Sequence, residues 1–420
     1  MLQLAKRARR FAATFWRGLP IDGCGLLCGG GPTEMARVHR RVAGTTWRRL
    51  PWWIRPVATI TARAAWLVAC PIRAWTVVRR EPADAAGTLV DLTLVGWTRG
   101  KDPATTLLHR KAAGDHRRLA DSCLDDRQSV RIWSVLADPS DRAVANDKAA
   151  TAQRLGALGI ATPRTLAIIA AGSTPDLRHA PWASGDPLFV KPRDGMGGFG
   201  TLLIRPAGAG QFSVDGAPAQ PGATVSRRLA GAARRWDLLV QPFLPPHDEH
   251  ADLSPHAPLG LRVNVVRGAD GAARVFSTNL RVQPPGRFAL TAQRGALMVP
   301  FEPAGDRLLD GMLFVPGFSR GGTVPWNGAA LRGRRIGDVT EAWEMALTAA
   351  AAFPGLPVIG FDLLLTRAGP VMLEANWGLA WSGMHLMHFQ TGLESALPHA
   401  ICAWLDRVER SSITPRTAPA

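Results

Sequence analysis

Three oxygen-bearing side chains late in the chain, Asp362, Glu374 and Asn376, have the types and spacing to hold a divalent cation. Asp362 interrupts an otherwise apolar run from Val358 to Thr366. A carboxylate in such a run is expensive to bury unless it is paired or binds a metal. Glu374 and Asn376 stand two apart, so they share one face of the following strand. A turn at Arg367-Ala368-Gly369 brings the two strands side by side. Two carboxylates and an amide oxygen, completed by phosphate and water, suit Mg²⁺. A pair of surface carboxylates flanking a hairpin is the alternative.

A second group lies upstream. Lys191 ends a short apolar strand and precedes Gly195, Gly197, Gly198 and Gly200. Glycine at this density lets backbone N–H groups approach an anion closely, and the Lys191 ammonium extends toward the same place. The spacing is not that of a P-loop, and no helix follows to make a dinucleotide fingerprint. A Gly-rich hairpin without a ligand is the competing reading.

The elements that must position these groups follow from pattern. Asn146-Asp147-Lys148 caps a helix running to about Leu158, which Gly159 ends. Strands are expected at residues 165–169, 188–191, 201–204, 238–241, 261–266, 274–280, 358–366 and 370–374. A helix is expected over 341–352, capped by Asp338 or Thr340, and another over 396–410. Residues 206–223 read as a Gly/Ala/Pro-rich loop, 283–336 as a long irregular stretch, and 411–420 as a disordered tail. Antiparallel sheets with helices packed on them make an α+β design.

The two groups, in this order, resemble the ATP-grasp superfamily. The shared order is Asn146-Asp147-Lys148 opening a helix, then strand, Lys191 and Gly loop, then the hinge strand Val240-Gln241-Pro242, then Asp362 and Glu374-Ala375-Asn376. Within it the chain looks closest to the sugar-transfer-associated group, through Pro246-His247 after the hinge and the Gly360-Phe361-Asp362 and Gly369-Pro370-Val371-Met372-Leu373-Glu374-Ala375-Asn376 segments.

The resemblance covers about residues 146–405. It implies an ATP-grasp fold, two α+β subdomains clasping ATP, at 141–236 and 237–410. A basic, Trp-rich, partly helical region precedes them at 1–140. It further implies that Lys148 and Lys191 contact nucleotide phosphates and that Gly195, Gly197, Gly198 and Gly200 form a lid. Gln241, with the backbone of Phe243 and Leu244, would face adenine. Asp248 or Glu249 would lie nearest the ribose, with His247 close by. Arg262 would stabilise charge on the transferring phosphoryl group, and Asp362, Glu374 and Asn376 would hold Mg²⁺, or Mn²⁺ in its place. Two departures stand out: Gln241 replaces a common Glu, and Gly260-Leu261 precedes Arg262 where Thr is expected.

The implied reaction is ATP-dependent ligation of a carboxylate to an amine through an acyl phosphate, in cell-surface sugar or polysaccharide biosynthesis by analogy. Neither substrate is named by any residue. An ATP-dependent phosphotransferase is the second reading, and a membrane-surface scaffold with a vestigial nucleotide site is the third. His385 and His388, and Trp377 and Trp381, are read as packing or substrate contacts.

The 420 residues carry a net charge of +17. Sixteen Lys and Arg against five Asp and Glu fall within residues 1–100. That excess attracts an anionic partner, and residues 1–80 are expected to meet an anionic membrane surface. Nucleic acid is disfavoured, because no reader motif accompanies the charge. Residues 56–72 are apolar apart from Arg63 and flanked by Trp. They read as a buried or partly buried core helix, with an interfacial segment as the alternative. Arg9-Arg10-Phe11 lacks an apolar stretch after it, so export is rejected. Five cysteines at irregular spacing, Cys24 and Cys28 among them, fit neither a zinc site nor a disulfide framework. A cytoplasmic location, peripheral at the inner membrane face, is expected.

Overall fold

The computed structural model describes residues 37–38, 41, 51–79, 85–112, 117, 125–179, 181–195, 198, 200–268, 270–288, 295–302, 305–314, 318–378 and 396–413. The expectations for Cys24, Cys28, Gly197, Trp381, His385 and His388 lie outside them. The chain divides into two units, residues 1–137 with 378–420, and residues 138–377.

The first unit is helical: α1 (Arg55–Val78), α2 (Ala85–Arg99), α3 (Pro103–Ala112), α4 (Asp126–Leu136) and a C-terminal helix, Ala396–Ile413. That last helix extends three residues into the expected tail. Pro56 starts α1 where its missing N–H costs nothing. Ala62, Trp66, Ala69, Cys70, Ala74 and Val78 form its buried face. Trp66 Nε1 donates to Gly96 O of α2 at 2.9 Å. A Cβ at Gly96 would stand 2.2 Å from Cys70 Sγ, so glycine permits this crossing. The other face of α1 stays in solvent, so the helix is only partly buried.

The second unit opens with α5 (Pro139–Asn146) and α6 (Lys148–Gly156). Asp147 caps α6, its Oδ1 accepting from Ala149 N and Ala150 N. A first sheet contains β1 (Ala167–Ile169), β2 (Leu188–Pro192), β3 (Leu202–Pro206), β4 (Gln211–Val214), β5 (Gln220–Pro221) and, after α7 (Gly222–Ala233), β6 (Leu238–Pro242). Its order is β1-β6-β2-β3-β4-β5. Alternate residues of its strands pack with Val225, Leu229 and Ala233 of α7.

The second sheet contains β7 (Gly260–Arg267), β8 (Ala273–Val282), β9 (Leu297–Pro300), β10 (Gly311–Leu313) and β11 (Ser319–Gly321), then, after α8 (Val339–Ala351), β12 (Val358–Thr366) and β13 (Gly369–Asn376). Its order is β11-β10-β9-β8-β7-β12-β13, every pair antiparallel. The stretch 283–336 is therefore not irregular throughout, because β9, β10 and β11 lie in it. The expected loop 206–223 likewise holds β4 and β5. These strands have two to four residues, too few to show a period of two.

Register separates the two faces of this second sheet. Val263 and Phe361 oppose each other and are buried, and Phe361 lies 6.4 Å from Phe353, just beyond α8. Arg262 and Asp362 oppose each other one residue away, on the opposite face. Phe361→Ala is therefore expected to lower stability by about 3–5 kcal/mol through the cavity it leaves. Chemical denaturation followed by circular dichroism checks this.

Candidate functional site

The polar face of the second sheet is a ladder set by register. Across β8, β7, β12 and β13, Asn279 opposes Arg262, Arg262 opposes Asp362, and Asp362 opposes Glu374. The next rung is Ser277, Asn264, Gly360 and Asn376. The β12–β13 register shifts between Asp362 and Leu363. Such a bulge re-aims the side chain beside it.

Asp362 is buried and held by two guanidinium groups. Arg262 Nε donates to Oδ1 at 2.5 Å and its second nitrogen to Oδ2 at 2.9 Å, a two-pronged pair. Arg281 Nη1 stands 3.2 Å from Oδ1. Asn376 Nδ2 lies 3.4 Å from both Asp362 Oδ2 and Glu374 Oε1, so the three expected donors do converge.

Lys148 and Lys191 reach this cluster from the other sheet's side. Lys148 Nζ is 3.5 Å from Glu374 Oε2 and donates to Gly195 O at 2.5 Å. Arg193 fixes the start of α6 by forking Asp147 at 2.7 to 3.0 Å, while its carbonyl accepts from Lys148 N. Beyond Gly195 the loop turns through Gly198 and Gly200 at φ 68° and 77°, where a β-carbon is strained.

Burial and charge oppose each other here. Burial pushes the Asp362 carboxyl up, against the pull of Arg262 and Arg281. Burial also pushes Glu374 up, but Lys148 and Lys191 outweigh it and hold that carboxyl well below its ordinary range. Two close carboxylates separate in this way. Burial lowers Lys191 to about 8, although Glu374 favours its charge. It lowers Arg281 to about 10. Two lysines and two arginines around two carboxylates leave a positive excess, which suits an anion with several negative oxygens.

The donor set fits magnesium in kind: two carboxylates and an amide, with shared sides left for phosphate and water. Glu374 is more open than Asp362, its side chain 28% exposed against 7%. The Asn376 amide has an oxygen to offer if its two ends exchange.

Gln241, Phe243, Asp248 and His247, expected around adenine and ribose, have partners within the chain. Gln241 is buried, and its Nε2 donates to Pro163 O at 3.2 Å and lies 3.4 Å from Thr165 Oγ1. Its amide thus ties the chain entering β1 to β6. Phe243 N donates to Pro187 O at 2.9 Å. Its ring meets Phe288 edge-on at 6.2 Å, with the Arg205 guanidinium 5.5 Å from its centre. Leu244 N has no backbone partner among the described residues. Asp248 pairs with Arg367 at the β12–β13 turn, which lies about 13 Å along the strand from Asp362. His247 Nδ1 accepts from Glu249 N at 3.1 Å.

Arg281 was not singled out from sequence. The alternation Ser277, Asn279, Arg281 carried the signal, since three polar residues at period two mark a polar face of the strand.

The lowered Lys191 value has a sign. Below pH 8 the ammonium is charged in both folded and unfolded chains, and its burial cost is fully present. Between pH 8 and 10.5 the unfolded chain binds more protons, so stability rises with pH by at most about 3 kcal/mol. Lys191→Met is expected to abolish that rise. Denaturant midpoints of both proteins from pH 7 to 10.5 measure it.

The sequence pattern of the sugar-transfer associated ATP-grasp family matches residues 128–400. No curated protein matches. Solved structures of similar fold include D-alanyl-alanine synthetase A from Vibrio cholerae (13% identity, 64% of this chain and 68% of that one, TM-score 0.41). Another is the Bacillus anthracis D-alanine–D-alanine ligase complexed with ATP (10%, 66% and 71%, 0.39). A third is Campylobacter jejuni biotin carboxylase (13%, 64% and 48%, 0.39). The chain spans 45% of the length of an N5-carboxyaminoimidazole ribonucleotide synthetase solved as an ADP complex. With its two antiparallel sheets and its match over residues 128–400, the chain belongs to the sugar-transfer associated ATP-grasp family.

Proposed function

We propose that this protein spends ATP to activate a carboxylate as an acyl phosphate and joins it to an amine, releasing ADP and phosphate. The observation that carries this reading is the polar ladder. Lys148, Lys191, Arg262 and Arg281 converge on Asp362 and Glu374, beneath the carbonyl of Gly195.

In this reading Lys148 and Lys191 meet the phosphate chain, and the Gly195–Gly200 loop covers it. Arg262 and Arg281 stabilise the negative oxygens of the phosphoryl group in transfer. Glu374, Asn376 and Asp362 are the residues that would hold magnesium, whose charge neutralises the phosphates when it is bound. A substrate carboxylate oxygen attacks the γ-phosphorus, the bond to the β-phosphate oxygen breaks, and ADP leaves. The amine nitrogen then attacks the acyl carbon, phosphate leaves, and the nitrogen gives up a proton.

A carboxylate is already ionised at neutral pH and needs no base to become a nucleophile. A hydroxyl acceptor does. Asp362 is committed to arginines and Glu374 to lysines, so neither is placed as a free base. That favours the ligase over the phosphotransferase. The family's sugar-transfer association supports a sugar or polysaccharide precursor as one substrate. ATP use supports a cytoplasmic setting.

Incubation with ATP, Mg²⁺ and pools of carboxylates in hydroxylamine tests the reading. An acyl phosphate is trapped as a hydroxamate, with one ADP formed per hydroxamate. A stable phosphorylated product without hydroxamate means phosphoryl transfer instead. Asp362→Asn is expected to lower the rate at least 100-fold, because it removes a donor and leaves two buried guanidinium groups underpaired.

A further inference from the structure

We propose that α1 and α2 form a face that lies flat on an anionic phospholipid bilayer. Trp53, Val57, Ile60, Ala64, Leu67, Val68, Ile72 and Trp75 recur at three- and four-residue steps along α1, all exposed. Ile60 is 69% exposed and Val68 61%. Such a run of large apolar side chains exceeds the isolated ones that ordinary surfaces carry.

The stripe continues onto α2. Trp97 Nε1 donates to Leu67 O at 3.2 Å, which sets Trp97 beside the exposed edge of α1. Val90 and Leu94, both exposed, stand seven and three residues before Trp97, on its side of α2. Two helices therefore present one apolar surface.

Charge identifies the occupant. Arg63 borders the stripe at mid-length, Arg55 and Arg79 lie near its ends, and basic residues outnumber acidic ones sixteen to five over residues 1–100. Exposed Trp52 and Trp53 at one end and Trp75 at the other have the amphipathic rings favoured at lipid headgroups. Long arginine side chains lay their stems on apolar surface and keep their charge at phosphate level. A second copy of this chain would set like charges against each other across a twofold axis.

The helix lies along the surface and does not cross it. By length and composition α1 is apolar enough to span, at 24 residues. Yet Arg63 sits in its middle, and its inner side carries the packing against α2 and the ion pair of Arg73 with Asp102. Spanning would carry these charges into hydrocarbon.

Co-sedimentation of the full chain with vesicles tests the proposal. Binding is expected to phosphatidylglycerol-containing vesicles and at least tenfold weaker to pure phosphatidylcholine, falling with salt and released by alkaline carbonate. Ile60→Asp with Val68→Asp is expected to weaken binding at least tenfold, with Mg–ATP affinity and helix content unchanged. Both positions are exposed, so folding is not at stake. Three results overturn the proposal: no binding to anionic vesicles, undiminished binding by the double variant, or retention after carbonate, which means a spanning helix. A vesicle-indifferent dimer that the double variant splits into monomers also overturns it, in favour of a second copy.

Discussion

The two-pronged bond between Arg262 and Asp362 is the constraint around which the second unit is organised. Both groups lie on one face of adjoining interior strands, the fifth and sixth of a seven-stranded sheet. Removing Asp362 would leave buried guanidinium charge uncompensated, at a cost of about 3–5 kcal/mol. The rest of the polar face follows from that cost. Arg281 shares Asp362, and Asn264 with Ser277 closes a buried hydrogen bond of 2.6 Å on the next rung. Glu374, brought against Asp362 by β13, adds a second negative charge that needs its own cations.

Those cations come from the other sheet's elements. Lys191 lies near the end of β2 and Lys148 starts α6, and Arg193 with Asp147 locks that end to that start. Glu374 attracts both lysines, and Lys148 also donates to Gly195 O. The result is a polar sheet face whose charges are paired among themselves but positive in sum. An incoming polyanion with its own cation can exchange into these pairings without exposing any charge to an apolar surrounding. That is the physical link between this sheet's register and the proposed binding of Mg–ATP.

Much of this was legible in the residues. Asp362 in an apolar strand, and Glu374 and Asn376 two apart after a short turn, need only the period of two to be placed on one face. The hairpin around the glycines and the Asp147 cap were equally plain. The partners of the Gln241 side chain were not legible. Its amide holds Pro163 and Thr165, a contact 76 or more residues away in sequence that no local pattern encodes. Arg281 escaped because arginine is common in this chain and its partner lies two strands away. The short strands β9, β10 and β11 escaped because three or four residues show no period. For α1, an apolar stripe reads the same whether it faces a core or a bilayer, and only the packing of α2 on its opposite side tells which face remained free.

Isothermal titration of Mg–ATP into the full chain and into Glu374→Gln tests the central claim most directly. The account predicts saturable binding that weakens at least tenfold when Mg²⁺ is withheld, and a Glu374→Gln protein whose residual ATP affinity no longer responds to Mg²⁺. Equal affinity with and without Mg²⁺ in the native chain, or an unchanged Mg²⁺ response in Glu374→Gln, would contradict it.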